Sequence, residues 1–136
     1  LSFQELFVAK PHVFISSGHP LAGKKSVSAL DLEPYPFLSF EQGEHNSFYF
    51  SEEIFAQEER KKNIRVRDRA TLFNLLIGLN GYTVCSGVID KKLNGQDIIA
   101  VPLDDDQDMR IGYIMHQKGQ LGRLASTYLE ALRKYI

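Results

Sequence analysis

Ile64-Arg-Val-Arg67, Asp68-Arg69, Ala70-Thr-Leu-Phe-Asn-Leu-Leu-Ile-Gly-Leu79 and Asn80-Gly-Tyr-Thr83 follow one another without interruption, and their reading decides the fold. Ile64 and Val66 alternate with arginines, as residues of a half-buried strand do. Asp68 is an N-cap residue placed before an apolar face of Leu72, Leu75, Leu76 and Leu79, and Asn80-Gly81 is a helix stop. Tyr82 to Ile89 is then apolar and β-rich. Strand, helix, strand in this order is the unit of a mostly parallel sheet covered by helices, an α/β class.

The same alternation extends outward. Upstream, Phe37-Leu-Ser-Phe40 reads as a strand running into the polar loop Glu41-Gln-Gly-Glu-His-Asn46. Phe48 to Lys62 is predicted as a helix: Phe50 and Ile54 lie four apart, Phe48 and Phe55 seven apart, and Glu52, Glu53, Glu58, Glu59, Lys61 and Lys62 face outward. Asn46 or Ser47 caps it. His12 to Ser17 is a buried strand closed by Gly18 and Pro20, and Ser28 to Pro34 holds one or two helical turns. Downstream, Ile98 to Leu103 and Arg110 to His116 read as strands. Leu121, Leu124, Ala125, Tyr128, Leu129, Leu132 and Tyr135 keep helical spacing to the end.

With 136 residues, 43% hydrophobic, the chain suits one compact domain or two small lobes. That apolar fraction and a net charge of −1 exclude a disordered chain and a surface that grips a phosphate backbone by charge. No window approaches the roughly 18 apolar residues of a membrane span. Leu1 to Lys10 mixes Gln4, Glu5 and Lys10 with apolar residues, unlike a signal peptide. A single cysteine, Cys85, excludes an internal disulfide and suggests a cytoplasmic setting. Leu1 stands where an initiator Met would, so a segment of a longer chain is expected.

Motifs for catalysis fail on the residues their mechanisms need. Gly18-His-Pro-Leu-Ala-Gly23-Lys24 matches the start of a phosphate-binding loop, but Lys25 replaces the Ser or Thr that holds magnesium, and Pro20 removes a backbone donor. Asp104-Asp-Asp-Gln-Asp108 resembles a calcium loop without its glycine or closing glutamate, as Met109 and Met115 occupy those places. His12, His19, His45 and His116 never reach ligand spacing, so no metal is expected. Cys85 lies in an apolar strand and reads as inert. Ser86-Gly87 lacks the flanks of a nucleophile elbow. No enzyme and no cofactor are predicted.

A binding constellation remains. In open α/β sheets, ligands sit beyond the carboxyl ends of strands, where helix N-termini offer N–H groups and a positive dipole end. The loop after Phe40 carries Gln42, Gly43, His45, Asn46 and Ser47 into the next helix, and the Leu79-to-Thr83 turn supplies a second wall. The two walls are expected to converge on one solvent-filled hollow. The candidate ligand-binding set is Ser39, Phe40, Gln42, Gly43, Asn46, Ser47, Phe48, Asn80, Gly81 and Tyr82. Asn46, Ser47 and the backbone near Gly43 would hold a polar or anionic head, and Phe40, Phe48 and Tyr82 would supply apolar contact.

His19-Pro-Leu-Ala22 after an apolar strand, Val27-Ser-Ala-Leu-Asp-Leu32, Tyr35-Pro-Phe-Leu38, Leu75-Leu-Ile-Gly-Leu-Asn-Gly-Tyr82 and Asp97-Ile-Ile-Ala-Val-Pro-Leu103 together resemble the effector-binding domain of LysR-type transcriptional regulators over nearly the whole chain. The resemblance implies a periplasmic-binding-protein type II-like fold of two α/β subdomains joined by crossover strands, with a small-molecule effector in the cleft. It implies that 1–35 belong to the end of the first subdomain, 36–110 to the second, and 111–136 to a crossover strand and terminal helix returning to the first. It also implies that DNA is contacted only through a helix-turn-helix absent from this chain, and that the parent protein is a homodimer or homotetramer away from the membrane. Glu41 and Glu44 make the loop more acidic, and Tyr82 and Thr83 make the turn bulkier, than the family pattern. The rival readings are a solute-binding lobe of a transporter, which would carry a signal peptide, and a small α/β enzyme, which would need a catalytic set.

Overall fold

Strand β2 (His12–Ser16) is apolar at consecutive positions because both its faces are covered. Val13 and Ile15 pack with Leu21, Val27, Leu32, Phe37, Tyr82 and Val101, whereas Phe14 packs with Leu38, Val66, Leu72, Leu76 and Ile98. The computed structural model describes residues 1–41 and 60–135. Their contacts form two compact units, Lys10–Gln107 and Leu1–Ala9 with Asp108–Ile136. The chain passes between the two units at residues 9–10 and 107–108. Residues 10–35 stay with 36–107 because they contain β2, the middle strand of that unit.

In the larger unit, β2 lies between β5 (Thr83–Cys85) and β6 (Ile98–Pro102), antiparallel to both. β3 (Phe37–Phe40) and β4 (Asn63–Val66) pair in parallel. A parallel bridge from Phe37 to Tyr82 joins the two sets. The sheet is thus mixed, where the sequence suggested a mostly parallel one. β2 supplies the reversed strand, antiparallel to both of its neighbours, and the link from it to β3 holds the four-residue α1 (Ala29–Leu32). Ser28 and Asp31 close a capping box on α1, and Asp68 caps α2 (Arg69–Leu79), as the sequence indicated. Leu72 and Leu76 bury the inner face of α2. Asn80 then ends it in the left-handed region (φ 49°). Gly81 must follow, because a Cβ there would collide with the Leu38 side chain and the Pro36 carbonyl.

Residues 60–62, expected to end a long helix, instead form a bend into β4. The rest of that predicted helix lies outside the described residues. α3 (Lys91–Asn94), which the sequence reading did not anticipate, buries no residue and is held by the Asp90 cap. In the smaller unit, β1 (Ser2–Ala9) pairs antiparallel with β7 (Met109–Met115). A register shift between Glu5 and Phe7 breaks the period-two pattern, which hid β1 from the sequence reading. α4 (Arg123–Leu132) is the predicted terminal helix.

His19 ties two of the family-like segments together. Its ring is buried (3% exposed) and packs against Tyr35, with ring centres 4.4 Å apart and planes tilted by 57°. Leu21 N–H donates to Nδ1, so Nε2 carries the proton and donates to the Asn80 carbonyl at 2.9 Å. The turn Gly18–Lys24 uses its own amides internally, His19 to Ser16, Ala22 to His19 and Lys24 to Leu21, which leaves no phosphate cradle.

Burial holds the His19 pKa below its ordinary value of 6.5, partly offset by the Asn80 carbonyl. The unfolded chain therefore binds the extra proton first. The stability tied to His19 is complete above pH 6.5 and falls as pH drops below it, by at most about 1.4 kcal/mol per pH unit. His19→Gln is expected to lower stability at pH 7.5 and to flatten the dependence between pH 5 and 7, measured by urea unfolding. An unchanged slope would assign the effect to another group.

Candidate functional site

The parallel pair β3 and β4 places two carboxyl ends beside the N-terminus of α2. Glu41 leaves β3 with its N–H on the Val66 carbonyl, and its carboxylate accepts from Arg67 Nε across the strand ends. The Arg67 hydrogen bond and charge hold the Glu41 carboxyl below its ordinary range, and Glu41 raises Arg67 in turn. The Asp68 carboxylate accepts from the Thr71 N–H (2.8 Å) and hydroxyl (2.7 Å), which keeps it ionised to lower pH. The α2 dipole end is thus already faced by an anion from its own chain.

Beneath this charged rim lies a hollow of about 110 Å³, lined by Phe14, Phe40, Leu72, Phe73, Thr83, Val84, Cys85 and Arg69. Phe14 and Phe73 meet edge to face at 6.4 Å. The Arg69 guanidinium lies 4.9 Å over the Phe73 ring, and its Nη2 donates to Asn94 Oδ1 at 3.1 Å. Among the described residues, Arg69 is the only charged side chain in the lining. The arrangement suits a small apolar group with a polar or anionic end near Arg69, because a mostly apolar pocket with one oriented cation does both.

Of the sequence-predicted set, Phe40 lies in this hollow. Ser39 does not: it is buried (1% exposed) and donates to Asn63 Oδ1 at 3.4 Å inside the strand pair. Asn80, Gly81 and Tyr82 lie at the other end of β3. Tyr82 bridges Phe37, whereas Phe40 pairs with Val66, about 10 Å along the strand. Phe40 and Tyr82 thus lie at opposite ends of β3, and the loop expected to form the first wall lies outside the described residues. β3 and the Tyr82 segment run parallel, so the entrance to one cannot adjoin the exit of the other. The turn serves the frame: Asn80 accepts from His19, Gly81 is buried, and the Tyr82 hydroxyl accepts from Arg60 Nη1 at 2.9 Å. Gln42, Gly43, Asn46, Ser47 and Phe48 lie outside the described residues.

Sequence reasoning missed Arg69, Phe14 and Phe73. Phe73 follows Leu72 on α2, a position the leucine periodicity leaves off the apolar face, and only the pair Arg69-Phe73, four apart, carries a signal for the stacking. Among the described residues, no group of His, Cys, Asp and Glu could hold a metal ion. No helix among them is long and apolar enough to cross a membrane.

A family model described as the LysR substrate binding domain matches residues 1–136. No curated protein matches. Among solved structures, HinK, a LysR family transcriptional regulator from Pseudomonas aeruginosa, is 17% identical with a TM-score of 0.62, covering 98% of this chain and 47% of its own. The effector binding domain of QuiR in complex with shikimate is 17% identical with a TM-score of 0.64, over 98% and 64% of the two chains. The regulatory domain of MetR, a LysR family regulator from N. meningitidis, is 12% identical with a TM-score of 0.67, over 98% and 62%. This chain thus spans between about half and two thirds of the regulators it matches. At these identities the likeness concerns the fold, which is the periplasmic-binding-protein type II-like α/β fold expected from the sequence.

Burial pushes the Cys85 thiol up to about 12, and its Sγ donates to the His12 carbonyl. A thiol-specific disulfide reagent at pH 8 is expected to leave Cys85 unmodified in the folded chain and to label it once per chain in denaturant, because the thiolate is the reacting form. Rapid native labelling would show that the hollow opens onto the sulfur.

Proposed function

We propose, from the premise that this chain belongs to the LysR substrate binding domain family, that it senses a small metabolite for a transcriptional regulator. The family match along all 136 residues carries this reading, and it favours a regulator's sensor over the solute-binding lobe of a transporter. The effector sits at the carboxyl ends of β3 and β4. Its apolar part contacts Phe40, Phe14 and Phe73, and its polar or anionic end meets Arg69. The loop residues Gln42, Gly43, Asn46, Ser47 and Phe48 are proposed to complete that wall. Ser39, Asn80, Gly81 and Tyr82 hold the frame behind it.

An anionic effector would compete with Glu41 for Arg67 and leave the Asp68 cap intact, because Asp68 is held by the α2 backbone. Binding, not turnover, is the proposed activity. An effector acts by favouring one of two arrangements of the whole regulator, and a coupling of about 1–3 kcal/mol is enough for an allosteric pair. DNA contact falls to a helix-turn-helix outside this chain, in a cytoplasmic homodimer or homotetramer.

A panel of amino acids and small organic acids, shikimate among them, is expected to include a compound that raises the melting temperature. At a hundredfold excess over its dissociation constant it should add about 2.7 kcal/mol of stability. Phe40→Ala, Arg69→Gln and Asn46→Leu should reduce that shift more than Glu130→Ala on α4. Equal effects would move the effector away from this end of the sheet, and consumption of the stabilising compound would indicate an enzyme.

A further inference from the structure

We propose that residues 88–95 are a strap at the Arg69 rim of the apolar hollow, latched by Arg69 on Asn94, and that release of this latch governs entry to the hollow. The strap leaves β5 shortly after Val84 and Cys85, which line the hollow, and contains α3.

Residues 90–95 form a block closed on itself. The Asp90 carboxylate accepts from the N–H groups of Lys92 (2.7 Å) and Leu93 (3.3 Å). The Asn94 N–H and Nδ2 both donate to the Asp90 carbonyl, and the Gly95 N–H donates to the Lys91 carbonyl. The block is barely packed: α3 buries no residue, and Leu93 is 85% exposed. A glycine with positive φ stands on each side, Gly87 at 82° and Gly95 at 73°, the freedom that a hinge uses.

Among the described residues, one hydrogen bond leaves this block: Arg69 Nη2 donates to Asn94 Oδ1 at 3.1 Å. The Phe73 ring, 4.9 Å below, supports the guanidinium, and Arg69 and Phe73 both line the hollow. Latch and rim are therefore the same side chain. Ile89, just before the block, packs in the apolar cluster that also holds Phe73 and Cys85, so a swing of the block draws on the cover of Cys85. One such bond can hold the block shut and still open in the native state. A turn that only joined β5 to β6 accounts for the Asp90 cap, but not for its outside bond falling on an arginine of the hollow.

As regulation of the effector site, the latch rests on the effector reading. Its test uses no ligand, so that either can fail alone. In the intact chain, Cys85 labelling by a small disulfide reagent at pH 8 is followed beside hydrogen exchange of the Lys92, Leu93, Asn94 and Gly95 amides. Arg69→Met, and Asn94→Leu, which leaves the lining untouched, should each speed both processes about tenfold or more, as losing a hydrogen bond to a charged group does. The Leu76 amide in α2 should keep its exchange rate, since global unfolding would speed it too. Asn94→Asp, which keeps the acceptor for Arg69 and loses the Nδ2 donor, and the control Lys92→Gln should both stay near the parent rates. The proposal is overturned by unchanged labelling and exchange in folded Arg69→Met or Asn94→Leu, by labelling that rises only in step with Leu76 exchange, or by Asn94→Asp as fast as Asn94→Leu.

Discussion

Two backbone hydrogen bonds at Tyr82 hold the larger unit together: its N–H donates to the Pro36 carbonyl at 3.0 Å, and its carbonyl accepts from the Leu38 N–H at 2.8 Å. They join the parallel pair β3–β4 to the antiparallel set around β2, so that one apolar layer has two faces to cover. Without that seam, each set would be a two- or three-stranded piece with an open edge, and such pieces are marginal on their own. The close approach demands Gly81, and the chain reaches it in the right direction because Asn80 takes the left-handed conformation that ends α2. His19 then fastens the Asn80 carbonyl from the other side.

Most of this was legible in the sequence where a local signal and a burial pattern agree. The apolar run of β2, the Asp68 cap, the leucine face of α2 and the Asn80-Gly81 stop each correspond to a structural element in the place expected. What was not legible depended on partners far away in the chain. The direction of β2 relative to its neighbours lies in its pairing with β5 and β6, far along the chain, which no local signal in β2 states. β1 was hidden by its irregular register, and α3 by burying no side chain. The site was half legible for a related reason. Phe40 could be placed from the strand it ends, but whether Tyr82 stands beside it or behind it depends on strand direction, which no motif states.

The two ends of β3 differ in chemistry. At the carboxyl end, Glu41 and Asp68 are each neutralised locally, by Arg67 and by the first turn of α2, and the hollow below is lined mainly by phenyl rings and aliphatic groups. At the amino end, the described residues bring Arg60, Lys61, Lys62 and Glu33 together beside Tyr35 and Tyr82. A single strand of four residues thus separates an apolar pocket from one lined by charged side chains, with Ser39 and Leu38 sealed between them. That separation lets each end be altered by surface residues while the core that joins them is left alone.

The pairing of β1 with β7 also sets an order of assembly. Ser2 and Met115 are hydrogen-bonded partners 113 positions apart, whereas Lys10–Gln107 closes on itself. During synthesis, β1 must wait for β7, made more than a hundred residues later, while the larger unit can already collapse around β2. Closing so long a loop is slow and leaves an unpaired edge waiting. Among the described residues, Ser2–Ala9 is therefore the strand whose partner is made last.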